Sequence, residues 1–413
     1  MENNYISRVI EKGLPKQGEH SLVLVTGARQ TGKTTLVKAN YKNIPYYNLD
    51  APEIRDQLSG VTATAWARTV GIAALDEVQK LPGILEKLKY AYDAGDVPFS
   101  VLLGSAQILM MSRIKESLAG RVLVFELWPL MLMELISAKG LPLFASLALE
   151  GPVDTILKGY PEVLIGDRLD AVRQAENHLL RWGGMPGIIK LPVNRRAEWL
   201  KSYNYTYLER DLADLAHLHN LSPFRKFHLL AAARIGGLLS YSELARDAGL
   251  SVGTARHYLE YLRLSYQAFL VQPYAVNLTS TAVKTPKLYW TDPGLWRQLT
   301  GTLSQVTGPL FENHVISEML KYLRTRDPGL RLWFYRTRNG LEVDVLLESE
   351  KGVVGIEIKN RETVSGKDAT PIKKVGAAIG SRWLGGIVVY RGDRIMQMDH
   401  AVWAVPSYRL LTP

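Results

Sequence analysis

A phosphate-binding loop near the start of the sequence carries the clearest chemistry. Its residues match the pattern GxxxxGKT and are followed by one more threonine: Gly27, Ala28, Arg29, Gln30, Thr31, Gly32, Lys33, Thr34 and Thr35. Glycines let the backbone turn its N–H groups around a polyphosphate, and a helix that begins at the loop adds partial positive charge. In such a loop Lys33 reaches the β- and γ-phosphates and the Thr34 hydroxyl ligates Mg²⁺. The pattern predicts ATP and Mg²⁺ as cofactors.

Two carboxylates at the end of an apolar run are the expected partners of this loop. The run 71–75 is followed by Asp76 and Glu77. A buried parallel strand is apolar throughout, so acidic residues at its carboxyl end lie at the sheet edge where the phosphate loop opens. We expect Asp76 to hold the Mg²⁺ shell and Glu77 to act as general base on the attacking water. A solvated acidic pair at a helix start is the alternative.

Further polar residues complete the expected nucleotide site. The predicted strand 100–103 ends just before Ser105 and Gln107, either of which would sense the γ-phosphate from the same sheet edge. Arg121 precedes the predicted strand 122–127. Ring-forming ATPases supply an arginine from a neighbouring subunit to stabilise charge on the transferred phosphoryl group, and Arg121 is the candidate for this catalytic role. An ordinary surface or intrasubunit ion pair explains it equally well.

A second group of charged residues lies towards the C-terminal end. A predicted hairpin carries Asp344 on one strand and both Glu357 and Lys359 on the next, and Glu312 lies on a preceding helix. Strand alternation places Glu357 and Lys359 on one face. This is the spacing of the PD-(D/E)XK nuclease fold, in which Glu312, Asp344 and Glu357 would hold Mg²⁺ while Lys359 would orient or deprotonate the hydrolytic water. The alternative is a hairpin with an exposed charged face.

The elements that position these residues predict an α/β protein of four regions. They are a P-loop AAA+ ATPase core, a helical lid, a winged helix-turn-helix and a C-terminal PD-(D/E)XK nuclease-like α/β domain, and they span residues 1–149, 150–234, 235–300 and 301–413. Apolar residues at three- and four-residue steps predict lid helices over 171–182 and 195–217. The same spacing between Tyr5 and Ile10 predicts a short N-terminal helix.

The expected winged helix contains two short helices separated by a Gly249 turn and a Ser251 cap. Thr254, Arg256 and His257 would form the exposed face of the second helix. One interpretation of this unit is that it binds DNA. The alternatives are that it contacts another protein or acts as a lid of the ATPase.

Composition limits the classes of protein that remain. The 413 residues include no cysteine, which excludes disulfides, thiolate metal sites and cysteine catalysis. Without a signal peptide or an apolar run of about 18 residues, we expect a cytoplasmic protein with no membrane partner. A formal net charge of +10 favours a polyanionic partner such as DNA.

Taken together, motifs along nearly the whole chain resemble a prokaryotic AAA-type ATPase family with a winged helix and a restriction-endonuclease-like C-terminal region long catalogued as of unknown function. Besides the phosphate loop, they are 75–80, 104–106, 117–121, 129–130, 184–186, 287–295, 312–313, 342–344 and 357–359. The resemblance implies a Mg²⁺-dependent, oligomeric ATPase coupled to a nuclease-like module. Ser105 departs from the Asn or Thr that many AAA+ proteins place at that strand end.

These observations predict an ATP hydrolase that acts on DNA as a ring-forming homo-oligomer, a hexamer, with a nuclease-like C-terminal domain. Branched DNA is a candidate substrate only by analogy with ring ATPases that carry winged domains. An alternative is an ATP-gated DNA-binding or signalling switch whose C-terminal domain binds but does not cut. A third hypothesis is a toxin or defence effector that cuts when a trigger assembles the ring.

Overall fold

The computed structural model describes residues 5–104, 117–206, 221–274 and 283–413. Ser105 and Gln107, and the second half of the helix expected over 195–217, lie outside the described residues. Among the described residues, no helix is long and apolar enough to cross a lipid bilayer.

A parallel sheet forms the centre of the N-terminal region. Its described strands are β1 (Ser21–Thr26), β2 (Tyr46–Asn48), β3 (Ala74–Asp76), β4 (Phe99–Leu103) and β5 (Val122–Glu126). They are ordered β2-β3-β4-β1-β5, and all neighbours run parallel. Since β1, β3 and β4 are buried along their whole length, apolar side chains cover both faces of these strands. All carboxyl ends therefore meet at one edge, where the phosphate loop follows β1.

Helices cover both faces of this sheet. They are α1 (Lys33–Asn40), α2 (Pro52–Gly60), α3 (Trp66–Thr69) and α4 (Ile84–Asp93). The N-terminal segment differs from its prediction. Only Val9–Gly13 forms a 3₁₀ turn, and Arg8 before it is extended, with φ −106° and ψ 144°. Tertiary contacts of the buried Arg8 side chain hold this conformation.

The region expected to be a lid divides between two cores. Its first helices, together with the two before them, are α5 (Leu132–Leu135), α6 (Leu143–Leu149), α7 (Val153–Leu157) and α8 (Asp167–Trp182). Their apolar side chains share one core with residues of the C-terminal region. The indole of Trp403 donates to Asp154 at 2.6 Å, and the Ser349 hydroxyl donates to the Ala148 carbonyl at 2.6 Å. Helices α6 and α7 therefore pack on the C-terminal sheet, and α8 packs in the same core against neighbouring helices.

The remaining helices form a separate core with a two-stranded hairpin. The elements are α9 (Pro186–Ile189), α10 (Val193–Thr206), α11 (Ser222–Ala232), α12 (Tyr241–Ala248), α13 (Val252–Leu264), β6 (Ala268–Val271), β7 (Lys287–Trp290) and α14 (Pro293–Thr300). Gly249 ends α12 with φ +74°, and the Ser251 hydroxyl accepts from the Thr254 amide at 3.0 Å to cap α13. Three helices followed by an antiparallel strand pair are the elements of a winged helix, and that assignment stays a prediction.

A mixed sheet with a covering helix on each side makes up the C-terminal region. The elements are α15 (Gly308–Arg326), β8 (Arg331–Arg336), β9 (Glu342–Glu348), β10 (Val353–Lys359), α16 (Thr370–Ile379), β11 (Trp383–Tyr390), β12 (Met396–Asp399), β13 (Val402–Pro406) and α17 (Ser407–Leu410). The sheet order is β12-β13-β11-β10-β9-β8. Strands β8, β9 and β10 are antiparallel neighbours, whereas β10, β11 and β13 run parallel. A nuclease-like assignment of this domain also stays a prediction.

Candidate nucleotide site and acidic cluster

The phosphate loop adopts a backbone that its glycines make accessible. Gly27 and Gly32 have φ of +143° and +95°, values in the left-handed region. A Cβ on Gly27 would lie 2.2 Å from the Leu127 carbonyl oxygen, so the loop packs against the chain that follows β5 with no room for a side chain. Helix α1 begins at Lys33, immediately after Gly32. Its amino end therefore faces the loop, as expected for a polyphosphate site.

Lys33 folds back into the loop that it follows. Its ammonium donates to the carbonyl oxygens of Gly27 and Ala28 at 3.0 and 2.8 Å. The Thr31 hydroxyl also donates to Ala28, at 2.9 Å, and closes the loop from inside. These bonds hold a buried positive charge inside the loop that is expected to hold the phosphates.

Thr34 and Asp76 meet across the sheet edge. The Thr34 hydroxyl donates to Oδ2 of Asp76 at 2.6 Å, and the Tyr46 phenol donates to the same oxygen at 2.5 Å. Burial and the bond to Asp76 raise the pKa of Tyr46 above its usual range, so the phenol remains a donor. A hydroxyl and a carboxylate oxygen are ligands that suit Mg²⁺, which keeps several waters of its own. The pair thus fits the metal that the loop implies.

Glu77 directly follows Asp76 and turns the chain sharply. It has φ +57°, a left-handed conformation that is uncommon for a residue with a side chain. Its amide donates to Oδ1 of Asp76 at 2.9 Å, and its carboxylate accepts from the Gln79 side-chain amide. Glu77 is only partly buried, and it directly follows the carboxylate that the Thr34 hydroxyl contacts.

Arg8 ties the N-terminal segment to the phosphate loop. Its guanidinium donates to the carbonyl oxygens of Thr31 at 3.0 Å and Trp128 at 2.6 Å, and its Nε lies 3.1 Å from Oε2 of Glu134. Glu134 in turn accepts from the amides of Val9 at 2.8 Å and Met131 at 3.0 Å. The side chains of Arg8 and Glu134 are both buried. Their network therefore holds the backbone carbonyl of Thr31 in place.

A cavity of about 260 Å³ opens beside the loop. It is lined by Tyr5, Ile6, Arg8, Thr31, Gly32, Thr35, Leu130, Pro186, Gly187, Ile189 and Lys190. The Tyr203 phenol donates to the Arg29 carbonyl at 3.3 Å, which brings α10 to the loop as well. The second half of the expected lid, α9 and α10, therefore does lie against the phosphate loop.

Arg121 lies at the opposite edge of the sheet. Its carbonyl accepts from the Leu22 amide at the amino end of β1, far from the loop that follows the carboxyl end. The guanidinium pairs with Asp93 of the same chain, with Nε–Oδ1 at 2.5 Å and Nη2–Oδ2 at 3.0 Å. This is the intrasubunit ion pair that the sequence left open, and the role of Arg121 towards a neighbouring subunit stays a prediction.

The C-terminal residues chosen from the sequence do come together, but with an unexpected cation among them. The Lys287 ammonium, from β7, lies 3.2 Å from Oε1 of Glu312, 2.5 Å from Oε1 of Glu342 and 3.8 Å from Oδ1 of Asp344. Glu312 also accepts from the Tyr289 phenol at 2.6 Å. We call Glu312, Glu342, Asp344 and Glu357 the acidic cluster.

The two carboxylates on the hairpin strands have different partners. Oδ2 of Asp344 accepts from the Ile358 amide at 2.8 Å, and Oε1 of Glu357 accepts from Lys359 at 2.6 Å. Oε2 of Glu357 is buried and has no hydrogen-bond partner among the described residues. Ile356 and Ile358 point into the core, as the strand alternation predicts.

Burial and mutual repulsion shape the charges of the acidic cluster. Burial, followed by the charges of Glu312 and Glu357, raises the pKa of Asp344 well above its usual range. Burial also raises the pKa of Glu357. Burial lowers the pKa of Lys287, but attraction by Glu312, Asp344 and Glu342 outweighs it and leaves the pKa above its usual value. Lys287 is therefore a protonated counter-ion of the cluster.

The acidic cluster does not fit a metal ion in this conformation. Within residues 5–104, 117–206, 221–274 and 283–413, no group of three or more His, Asp or Glu side chains is arranged to hold one. Lys287 already supplies positive charge between Glu312, Glu342 and Asp344. The convergence of Glu312, Asp344 and Glu357 is thus observed, whereas the expected Mg²⁺ site is not.

Sequence reasoning missed several residues of both sites. Tyr46 and Arg8 lie 30 and 23 positions from the residues they bond, and Lys287 lies on a different element from the carboxylates it neutralises. Tyr46 reaches Asp76 because β2 pairs with the strand that carries Asp76. For Tyr46, Arg8 and Lys287 the sequence offers no local pattern that reveals these contacts.

Three family models match consecutive parts of the chain. Residues 19–136 match an AAA domain, residues 173–306 match a domain of unknown function (DUF8612), and residues 307–410 match another domain of unknown function (DUF4143). The chain is also similar to the uncharacterized proteins Mb2031c of Mycobacterium bovis and Rv2008c of Mycobacterium tuberculosis. Each is 28% identical over 402 residues, which are 95% of this chain and 81% of the relative.

Similar solved structures include two archaeal ATPases. A Walker-type ATPase of Pyrococcus abyssi is 15% identical and has a TM-score of 0.41, with 67% of this chain and 90% of that chain covered. A signal transduction ATPase of the STAND type from Pyrococcus horikoshii, with a tetratricopeptide repeat sensor, is 12% identical at a TM-score of 0.27, with 78% and 47% covered. The AAA-domain match and the loop geometry together make residues 19–136 a P-loop ATPase domain.

Proposed function

We propose that this protein is a Mg²⁺-dependent ATP hydrolase in which Lys33, Thr34, Asp76 and Glu77 carry the reaction. The observation that supports it is the 2.6 Å bond between Thr34 and Asp76, which joins the end of β3 to the phosphate loop. Thr34 and Asp76 would hold Mg²⁺, which would neutralise negative charge on the phosphates. Lys33 would release its loop carbonyls and bind the phosphate oxygens, a stronger charge-assisted interaction.

Glu77 is the proposed general base. Its carboxylate would take the proton of the attacking water, while the Gln79 amide holds the side chain in place. The 260 Å³ cavity beside Thr35 is the proposed position of the nucleoside, because it adjoins the loop and is lined by apolar side chains such as Ile6 and Pro186.

Purified full-length protein tests these roles through ATP binding and turnover. Lys33→Ala should abolish tight ATP binding, and Glu77→Gln should bind ATP but turn over at least about 100-fold more slowly. Lys42→Ala and Glu53→Gln, both exposed on the same domain, are the matched controls and should behave as wild type. Hydrolysis by Glu77→Gln at the wild-type rate would show that another residue is the base.

DNA is the proposed partner of the winged-helix unit. The net charge of +10 supports it, as do the exposed side chains of Arg256 and His257 near the start of α13. Arg256 stacks over the Tyr241 ring at 4.4 Å, which limits its freedom. Thr254 instead bonds to the Ser251 hydroxyl at 2.8 Å and is less available.

Salt dependence of binding distinguishes DNA contact from a surface charge without function. Arg256→Ala should weaken duplex binding and lower the slope of log K against log salt by about 1. Arg263→Ala, at the other end of α13 and paired with Glu260, is the matched control with an unchanged slope. Equal slopes for both variants would argue for a protein partner instead.

For the C-terminal domain we favour one of the hypotheses, the ATP-gated switch that binds without cleaving. We consider it better supported than a nuclease. Lys287 within the acidic cluster supports this choice, because phosphodiester cleavage of the expected kind needs a metal there. Incubation of duplex, single-stranded and four-way DNA in Mg²⁺ or Mn²⁺ should leave every substrate intact. Cleavage that disappears in Asp344→Ala while ATP turnover persists would restore the motor coupled to a nuclease.

Assembly into a hexameric ring remains part of this proposal. AAA-type domains often complete their site with an arginine from a neighbour, and Arg121 would first have to leave Asp93. The mass in solution with and without ATP, by light scattering, tests it. Arg121→Ala should slow turnover only if the arginine serves a neighbouring subunit.

A further inference from the structure

We propose that the Lys287 ammonium is the resident cation of the acidic cluster, and that the cluster binds a divalent metal ion only when this side chain is removed or withdrawn. This role of Lys287 is separate from the proposed ATP hydrolysis and does not depend on it. The side chain lies at a contact between the β6–β7 hairpin and the C-terminal sheet.

The contact begins with a lysine that is almost completely buried. Lys287 is 3% exposed, although lysines are seldom buried without a partner. Three carboxylates, Glu312, Glu342 and Asp344, lie within 4 Å of its ammonium. The ammonium also lies 5.5 Å from the centroid of the Phe334 ring. The side chain thus occupies the centre of the cluster.

Some carboxylate oxygens of the acidic cluster accept no hydrogen bond from Lys287. Oε2 of Glu357 is buried and has no partner among the described residues. Oδ1 of Asp344 lies 3.8 Å from the ammonium, beyond a hydrogen bond. A buried carboxylate oxygen without a donor, such as Oε2 of Glu357, is costly, and a small divalent cation would satisfy it. The geometry therefore suits a different cation, which the ammonium keeps out by occupying the space and repelling like charge.

Lys287 also belongs to a different unit from the carboxylates. Strand β7 lies in the core of the helical region, whereas Glu342, Asp344 and Glu357 lie on the C-terminal sheet. Backbone bonds dock the hairpin flanks onto β8, from Tyr274 to the Phe334 carbonyl at 2.7 Å and from Val283 to the Arg336 carbonyl at 2.9 Å. Withdrawal of Lys287 therefore requires the hairpin to leave this edge.

The test is Mn²⁺ binding by the full chain without nucleotide, followed by the electron paramagnetic resonance of free Mn²⁺. Lys287→Met, which retains the aliphatic stem, should bind Mn²⁺ at least tenfold more tightly than wild type. The gain should disappear in Lys287→Met/Asp344→Asn. Lys284→Met, an exposed lysine three residues earlier, is the control and should match wild type.

Wild type supplies a comparison that needs no change at position 287. Because the ammonium excludes the ion, Asp344→Asn should leave wild-type Mn²⁺ binding unaltered. Loss of a wild-type Mn²⁺ site in Asp344→Asn would overturn the proposal, as would a folded Lys287→Met without any gain. If Lys287→Met does not fold, Lys287→Gln replaces it with the same expectation. Neither result depends on ATP turnover, so failure of the ATPase assignment is distinguished from failure here.

Discussion

Replacement of Arg8 tests whether the N-terminal segment supports the phosphate loop. Arg8→Met removes the donors to Thr31 and Trp128 and leaves Glu134 buried without its cation. Loss of one partner of a buried ion pair costs about 3–5 kcal/mol. Glu134 keeps two amide donors, from Val9 and Met131, so we expect the lower end of that range.

A double-mutant cycle isolates the pair. Glu134→Gln removes the charge but retains an acceptor, and we expect it to cost about 1–3 kcal/mol. Since each single change leaves the other member of the pair uncompensated, whereas the double change removes both charges, Arg8→Met/Glu134→Gln should cost less than the sum by about 1–3 kcal/mol. Urea unfolding followed by circular dichroism measures these free energies, with Lys12→Met as the exposed control.

The functional readout is the KM for ATP. Because the Thr31 carbonyl loses its fixed donor, we expect Arg8→Met to raise KM at temperatures where the protein stays folded. Additive free energies within about 0.5 kcal/mol, together with an unchanged KM, would refute the reasoning. The contacts of Arg8 would then contribute packing alone.

Two further changes follow from the backbone and from a buried histidine. Gly27→Ala should abolish ATP binding in a nucleotide-binding assay, because the new methyl group would lie 2.2 Å from the Leu127 carbonyl oxygen. Gly60→Ala, with open space around it, should bind ATP as wild type does and should leave the free energy of unfolding unchanged or slightly higher. Burial lowers the pKa of His228 to about 3 from 6.5. The unfolded chain therefore takes up a proton that the folded chain does not, and stability falls as pH decreases through this window by about 1.4 kcal/mol per pH unit. His228→Phe should remove that slope from unfolding curves measured between pH 4 and 6, and an unchanged slope would contradict a neutral buried imidazole.

Local patterns account for what could be predicted from the sequence. The apolar run before Asp76 and the alternation over Val353–Lys359 depend on neighbouring residues, and both strands appear at those places. The loop residues also meet Asp76 as expected, because the carboxyl ends of parallel strands share an edge. In each case the residues themselves determine the local geometry.

Contacts between distant elements could not be predicted in this way. Helix α8 has the same periodicity whether it covers a nucleotide or joins a core with the C-terminal region, and only tertiary packing selects between them. Lys287 lacks any signal for the same reason, since its partners lie on α15 and β9. The Mg²⁺ site expected at Asp344 stays a prediction, and no pattern in the sequence indicates that a lysine from another region supplies positive charge there.

The core that α6 to α8 share with the C-terminal region has a consequence for synthesis on the ribosome. The Leu143 amide bonds to the Thr412 carbonyl at 3.0 Å, so this core closes only when Thr412 has emerged from the ribosome. At a translation rate of about 5–20 residues per second, the apolar faces of these helices remain without their partners for roughly 10–50 s. During that interval the nascent chain exposes surface that chaperones recognise, although the nucleotide domain before it is already complete.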